Sequence, residues 1–144
     1  MASRESLSTI RRWPYEDTLD HLQFHVSSGE FAGTQEVYAG LIDIDEFASR
    51  LCKFPRDIAD TVTFEAGAPE GNVAYHLRLH DFLRDRSGHA ALAVAMNNMR
   101  KGPHASSCNF HIWCEVAALN QLGSQLLAWC GAPTDRFSWA TRDT

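Results

Sequence analysis

Alternation of apolar and polar residues with a period of two constrains this chain more than any other feature. In VAYHLRLHDF (73–82) and HAALAVAMNN (89–98), large apolar residues recur at every second position. Successive side chains of a strand point to opposite faces of a sheet, so this period predicts strands with one buried face. Short turns between neighbouring strands predict antiparallel pairing. Four further segments are predicted as strands from the same period or from β-branched and aromatic content: HLQFHV (21–26), TQEVYAG (34–40), TVTFEAG (61–67) and CNFHIWC (108–114).

Two other segments have apolar residues at helical spacing. Asp43 stands three residues before Glu46, an arrangement that resembles a capping box with Asp43 as the cap and predicts a helix over residues 44–53. The apolar stripe of residues 115–130 predicts a second helix, in which Gly123 is expected to permit close packing on the sheet. Together these elements predict an α+β fold: a single layered domain with a mostly antiparallel sheet of five to six strands and two main helices.

The length of 144 residues is that of one domain, and about two-thirds of its unfolded surface can be buried on folding. Residues 1–19 are polar and mixed in charge, and we expect them to form an N-terminal arm. Residues 20–144 are expected to form the single α+β domain. The start of the chain has no apolar run typical of a signal peptide, and no segment has the length and hydropathy of a membrane span. We therefore expect a cytoplasmic protein that does not bind a membrane.

Charge is unevenly distributed along the chain. The whole sequence has 13 basic and 18 acidic residues and a formal charge of −5, which excludes an overall basic nucleic-acid footprint. Residues 20–70 hold three basic residues against ten acidic ones. Such a segment favours capture of a basic protein partner rather than direct contact with nucleic acid. The acidic residues predicted to bind this partner are Glu30, Glu36, Asp45, Glu65 and Glu70.

The residues typical of catalysis do not form a recognisable motif. Histidines four apart, such as His76 and His80, lie about 13 Å apart on a strand, so one metal ion does not bind both. No nucleophile elbow, phosphate-binding loop, dinucleotide fingerprint or zinc-protease motif is present. We therefore expect no enzymatic activity, no cofactor and no metal. The cysteines contain no CxxC pair and are expected to pack as small apolar residues: Cys52, Cys108, Cys114 and Cys130.

Two alternatives remain open at this point. The first is a small metal-dependent or hydrolytic enzyme, whose site would be formed by histidines from paired strands of the sheet. A structural or oligomer-forming domain, for example a homodimer, would instead use an exposed sheet face with Trp13, Trp113 or Trp139 as anchors.

The order of several short motifs resembles the WapI-type immunity proteins of bacterial polymorphic-toxin systems. The resemblance spans residues 20–130. It implies a small protein without chemistry of its own, which binds and neutralises a cognate toxin domain, such as a nuclease. The motifs that carry it are SGEFAG (28–33), the aromatic strand with Val37 and Tyr38, D-x-DEFxxxL (43–51), FP (54–55), L-x-L (77–79), D-x-x-GH (85–89) and the segment 110–119.

Overall fold

The computed structural model describes residues 5–142, which form eight strands and two helices. The first sheet contains β1 (Glu5–Glu16), β2 (Leu19–Ser27), β3 (Ala32–Ala39) and β8 (Arg136–Arg142). The second sheet contains β4 (Thr61–Gly67), β5 (His76–Leu83), β6 (His89–Asn97) and β7 (Ser107–Glu115). The helices are α1 (Leu41–Cys52), which follows the third strand, and α2 (Val116–Gly131), which follows the seventh.

Both sheets are antiparallel, so the predicted α+β fold with two main helices is confirmed. The strand order is β3-β2-β1-β8 in the first sheet and β4-β5-β6-β7 in the second. The predicted five to six strands become eight because β1 and β8 complete the first sheet. The structure thus divides the strands between two sheets of four, where the sequence pattern indicated one.

Strand β1 corrects the expectation of an arm over residues 1–19, because residues 5–16 lie inside the first sheet between β2 and β8. Residues 1–4 of that prediction lie outside the described residues. The inner face of β1 carries Ser6, Ser8 and Ile10, so only one large apolar residue marks its buried period. Strand β8 is shorter and carries Phe137 and Trp139, both buried, at alternate positions. Trp139 was expected to be a candidate anchor on an exposed face, and its burial excludes that role.

The inner faces of both sheets and the apolar faces of both helices share one hydrophobic core. Phe64 of β4 lies at the junction of these layers. Its ring centroid is 5.6 Å from that of Phe24 on β2 and 5.7 Å from that of Phe47 on α1. Contacts of this kind hold the two sheets and α1 together, while the outer face of each sheet is left to carry polar and aromatic side chains.

Both helices begin and end within three residues of their predicted bounds, but two details differ. Asp43 is not the N-cap of α1. Gly40 occupies that position, and its N–H donates to Asp43 Oδ2 at 3.2 Å. Gly123 packs against α1 rather than the sheet, since a Cβ on it would lie 2.7 Å from the Ala48 carbonyl oxygen. Among residues 5–142, neither helix has both the length and the hydropathy that a bilayer crossing requires.

Candidate functional site

Three aromatic rings lie side by side across the outer face of the first sheet. The strand register pairs Trp13 of β1 with His21 of β2, and His21 with Tyr38 of β3. The ring centroids of Trp13 and His21 are 5.1 Å apart, and those of His21 and Tyr38 are 5.0 Å apart. Cross-strand neighbours on one face are placed for such contacts, so the rings form a continuous row.

The row is extended at both ends. Tyr15 lies two residues beyond Trp13 on β1, and its ring centroid is 5.0 Å from that of Tyr38. At the other end, the Arg11 guanidinium carbon lies 4.9 Å from the centroid of the Trp13 ring, a cation–π contact. Trp13, Tyr15 and Tyr38 are 38%, 56% and 42% exposed, respectively. Exposed tryptophan, tyrosine and arginine are the residue types that most often anchor protein interfaces.

Acidic side chains border this row. Glu36 lies on the outer face of β3, where His21 Nε2 donates to Glu36 Oε1 at 3.1 Å. Tyr38 also lines a cleft between α1 and β4, together with Asp43, Glu46 and Glu65. The Tyr38 surface is defined as the aromatic row and its acidic border: Arg11, Trp13, Tyr15, His21, Glu36, Tyr38, Asp43, Glu46 and Glu65.

Tyr75 fixes the backbone at the centre of the Tyr38 surface. Its hydroxyl accepts a hydrogen bond from the Tyr38 N–H and donates one to the Tyr38 carbonyl, both at 3.2 Å. The main chain of Tyr38 is therefore held at the open edge of β3, and its side chain is presented from a fixed position.

The structure brings two of the five predicted acids to the Tyr38 surface. Glu36 borders the aromatic row, and Glu65 lines the cleft, where it accepts a hydrogen bond of 2.7 Å from His76 Nε2. Glu30 lies in the connection between β2 and β3, on a different groove along β7. Glu70 is exposed in the connection between β4 and β5. Asp45 lies on α1 near Cys130 of α2.

Sequence reasoning missed the aromatic row and two of the cleft acids. As partner-binding residues, Trp13 was identified only as a candidate anchor of an oligomer, and Tyr15 was given no such role. Their alternation in W-P-Y indicates a shared face once residues 5–16 are known to form a strand. Asp43 and Glu46 were assigned to helix capping. Asp43 does cap the first turn, and it also lines the cleft.

Five histidines of the sheets hydrogen-bond to neighbouring side chains, whereas His111 stacks on Trp113 with ring centroids 5.2 Å apart. Within residues 5–142, no group of three histidine, cysteine, aspartate or glutamate side chains is placed to hold a metal ion. His80 accepts from Thr63 and Arg78, and its pKa is lowered by burial and by the nearby Arg78 charge. The other pairs are His21–Glu36, His25–Thr34, His76–Glu65 and His89–Asp85.

The four cysteines are all partly or fully buried. Cys114 is buried, and Cys52, Cys108 and Cys130 are half-buried. Burial raises the pKa of Cys108, and burial together with the Asp45 charge raises the pKa of Cys130 to about 11. A thiol with a raised pKa holds little of the nucleophilic thiolate at neutral pH.

Asp81 is a buried carboxyl on the inner face of β5, opposite Val62 and Leu92 of the neighbouring strands. Neither of its oxygens has a hydrogen-bond partner among the residues described. Burial raises its pKa well above the ordinary value, because a buried carboxyl is favoured in its neutral form.

Comparisons with known proteins give one structural neighbour. No protein-family model matches the chain, and no protein with a curated description matches it. The chain is similar to the solved structure of the plant transcriptional regulator PBF-2. The two are 13% identical, the match covers 91% of this chain and 81% of that one, and the TM-score is 0.43.

Proposed function

We propose that the chain is a non-enzymatic binding protein that captures a basic protein partner through the Tyr38 surface. The observation that carries this proposal is the aromatic row, in which the rings of Trp13, Tyr38 and Tyr15 are exposed. Glu36 and the carboxylates of the adjacent cleft border this row. Aromatic anchors supply most of the binding energy of a typical interface. Carboxylates around them attract a partner of opposite charge and raise its association rate.

The partner proposed is a toxin domain, for which this chain acts as an immunity protein in the cytoplasm. Toxins that cleave nucleic acid carry basic surfaces, because their substrates are anionic. An acidic surface with aromatic anchors is complementary to such a domain and blocks access to its substrate. The resemblance to WapI-type immunity proteins supports the same proposal from the order of the sequence motifs.

Co-expression tests the proposal. The toxin domain encoded beside this chain is produced in a susceptible host, alone and together with the wild-type chain. We expect the chain to restore growth and to co-purify with the toxin domain as a stoichiometric complex. Continued cell death and the absence of a complex would refute the immunity function for that pair.

A variant of the Tyr38 surface separates binding from folding. Tyr38→Ala removes a ring that is 42% exposed and leaves the main-chain hydrogen bonds to Tyr75 in place. The variant is expected to fold, as checked by circular dichroism, and to lose protection. Phe31→Ala is the matched control, because Phe31 is 61% exposed and lies in the connection between β2 and β3, at the opposite end of β3 from Tyr38. It is expected to protect like the wild type.

A further inference from the structure

Strand β7 is the edge of the second sheet, and a groove runs along it. Asn109, His111 and Trp113 line one wall of the groove. The opposite wall contains Ser6 of β1 and Phe31 of the connection between β2 and β3. In the part of the chain that the structure describes, β7 pairs with β6 alone.

The alternation of main-chain hydrogen bonds between β7 and β6 shows which main-chain groups of β7 face the groove. The Val116 N–H donates to the Gly88 carbonyl at 2.8 Å, which is a hydrogen-bonded position of the ladder between β6 and β7. Such positions recur at every second residue. The N–H and C=O groups of the even-numbered residues of β7 therefore face β6. Those of Asn109, His111 and Trp113 face the groove.

On each of the other three edge strands, a side chain hydrogen-bonds to a main-chain group that faces away from the sheet. The Tyr75 hydroxyl binds both main-chain groups of Tyr38 on β3. Arg50 Nη2 donates to the Thr61 carbonyl of β4 at 3.1 Å. The Thr134 hydroxyl donates to the Arg136 carbonyl of β8 at 2.9 Å. No described residue makes such a contact with the open groups of Asn109, His111 or Trp113.

The sequence of β7 also lacks the features that protect exposed edges. SCNFHIWCE contains no proline and no lysine, and its pairing with β6 is continuous, without a bulge. An unprotected edge of this kind is a template on which another strand can pair. Two exposed rings flank the groove, namely Phe31 at 61% and Trp113 at 38%.

We propose that β7 is a dimerisation edge, on which the β7 strand of a second copy of this chain pairs antiparallel. With His111 opposite His111 of the second copy, Asn109 stands opposite Trp113 of that copy, and Trp113 opposite its Asn109. The main-chain groups of Asn109, His111 and Trp113 of the two copies then form six hydrogen bonds across a two-fold axis. The only acidic or basic residue of β7 other than histidine is Glu115, which stands opposite Ser107, so no carboxylates meet.

The pairing leaves the Tyr38 surface accessible. The cleft of that surface lies beside β4, and β4 and β7 are the two opposite edges of the second sheet. Each dimer therefore presents two copies of that surface. The dimer is independent of the proposed function, since it uses neither the aromatic row nor the acids of the cleft.

Sedimentation velocity over a concentration series tests the dimer. The wild type is expected to shift from 16.1 kDa to twice that mass as its concentration rises. His111→Glu places two carboxylates opposite each other on the axis and is expected to remain monomeric with an unchanged circular dichroism spectrum. His104→Glu makes the same change at an exposed position outside the strand and should dimerise like the wild type.

Hydrogen exchange of the free protein tests the pairing itself. The amides of Asn109, His111 and Trp113 are expected to become protected as the dimer forms, and to exchange rapidly in His111→Glu. His111→Cys is expected to give a disulfide-linked dimer with oxidised glutathione, beyond the wild-type background, because directly opposed strand residues meet the Cα separation of a disulfide. A wild type that remains monomeric, or a dimer that persists in His111→Glu, would overturn the proposal. Protection of these amides only in the presence of a partner protein would also overturn it, and would assign the groove to a foreign strand.

Discussion

The ring of Tyr38 stacks on the ring of His21, with centroids 5.0 Å apart and 27° between the ring planes. His21 in turn donates a hydrogen bond to Glu36. A single contact between neighbouring strands thus links the aromatic row to an acidic side chain. The predictions that follow test the Tyr38 surface and the core that supports it.

The affinity for the proposed partner, a toxin domain, should depend on the exposed rings. Tyr38→Ala and Trp13→Ala are each expected to weaken binding about tenfold or more, equivalent to roughly 1.4 kcal/mol, because anchor residues dominate the binding energy. Isothermal titration calorimetry provides the measurement. Phe31→Ala serves as the control, and a loss of affinity for Phe31→Ala equal to that for Tyr38→Ala would argue against the surface.

The rate of association should depend on Glu36 and Glu65. Glu65→Gln keeps the size and a hydrogen-bond acceptor for His76 while it removes the charge, and Glu36→Gln does the same beside His21. The double variant is expected to associate several-fold more slowly at low salt, with a flatter salt dependence. Stopped-flow kinetics measures both quantities. Glu70→Gln, in a connection outside the surface, should leave the rate unchanged, and an equal decrease for all these variants would indicate a general effect of net charge.

The buried carboxyl of Asp81 should make stability fall as the pH rises. Its folded pKa is raised by burial, so the folded protein keeps a proton that the unfolded chain releases above the ordinary pKa of 3.8. The contribution of Asp81 to the free energy of unfolding is therefore fully present below pH 3.8. It decreases as the pH rises, by up to about 1.4 kcal/mol per pH unit, until the pH reaches the folded pKa. Asp81→Asn should remove this decrease, and urea denaturation of both proteins at about pH 4.5 and about pH 7.5 measures it.

Asp85 provides a matched control for Asp81, because its effect on the pH dependence of stability has the opposite sign. The pKa of Asp85 is held below its ordinary value, mainly by the Ser87 N–H and also by His89. Asp85→Asn should remove stability that is present at neutral pH and lost as the pH falls through the folded pKa. If Asp81→Asn and the wild type show the same pH dependence, the assignment of a raised pKa to the buried Asp81 is wrong.

The contact between the two helices should be sensitive to one added methyl group. Gly123→Ala places a Cβ 2.7 Å from the Ala48 carbonyl oxygen and 2.8 Å from the Cys52 nitrogen. Overpacking against main-chain atoms is expected to cost about 1–3 kcal/mol, which exceeds the usual gain from replacing glycine in a helix. Gly131→Ala meets nothing within 4 Å and should be neutral or stabilising. Thermal unfolding compares the two, and a rise in Tm for Gly123→Ala would contradict the predicted clash.

The fold class followed from local patterns, and the omissions have physical causes. The alternation around Leu77 and Leu92 and the apolar stripe of α2 are properties of consecutive residues, and they predicted the strands and the second helix well. Strand β1 escaped detection because its inner face carries Ser6 and Ser8 beside Ile10. The apolar alternation that marks a buried strand is therefore weak in this segment. The division into two sheets depends on packing between distant residues such as Phe24 and Phe64.

The candidate site was predictable only in part for the same reason. The bias of residues 20–70 toward acidic side chains identified Glu36 and Glu65 along with three acids that lie elsewhere. The row formed by Trp13, His21 and Tyr38 depends on the register of three strands, which the alternation of each strand by itself does not specify.

Mapping the contact with the toxin domain by NMR tests the central claim most directly. The chain is labelled with ¹⁵N, and its amide and indole signals are followed as unlabelled toxin domain is added. We expect the largest changes at the Trp13 indole and at the amides of Tyr15, His21, Tyr38 and Glu65. A footprint that leaves these signals unchanged and falls on another part of the molecule would contradict binding through the Tyr38 surface.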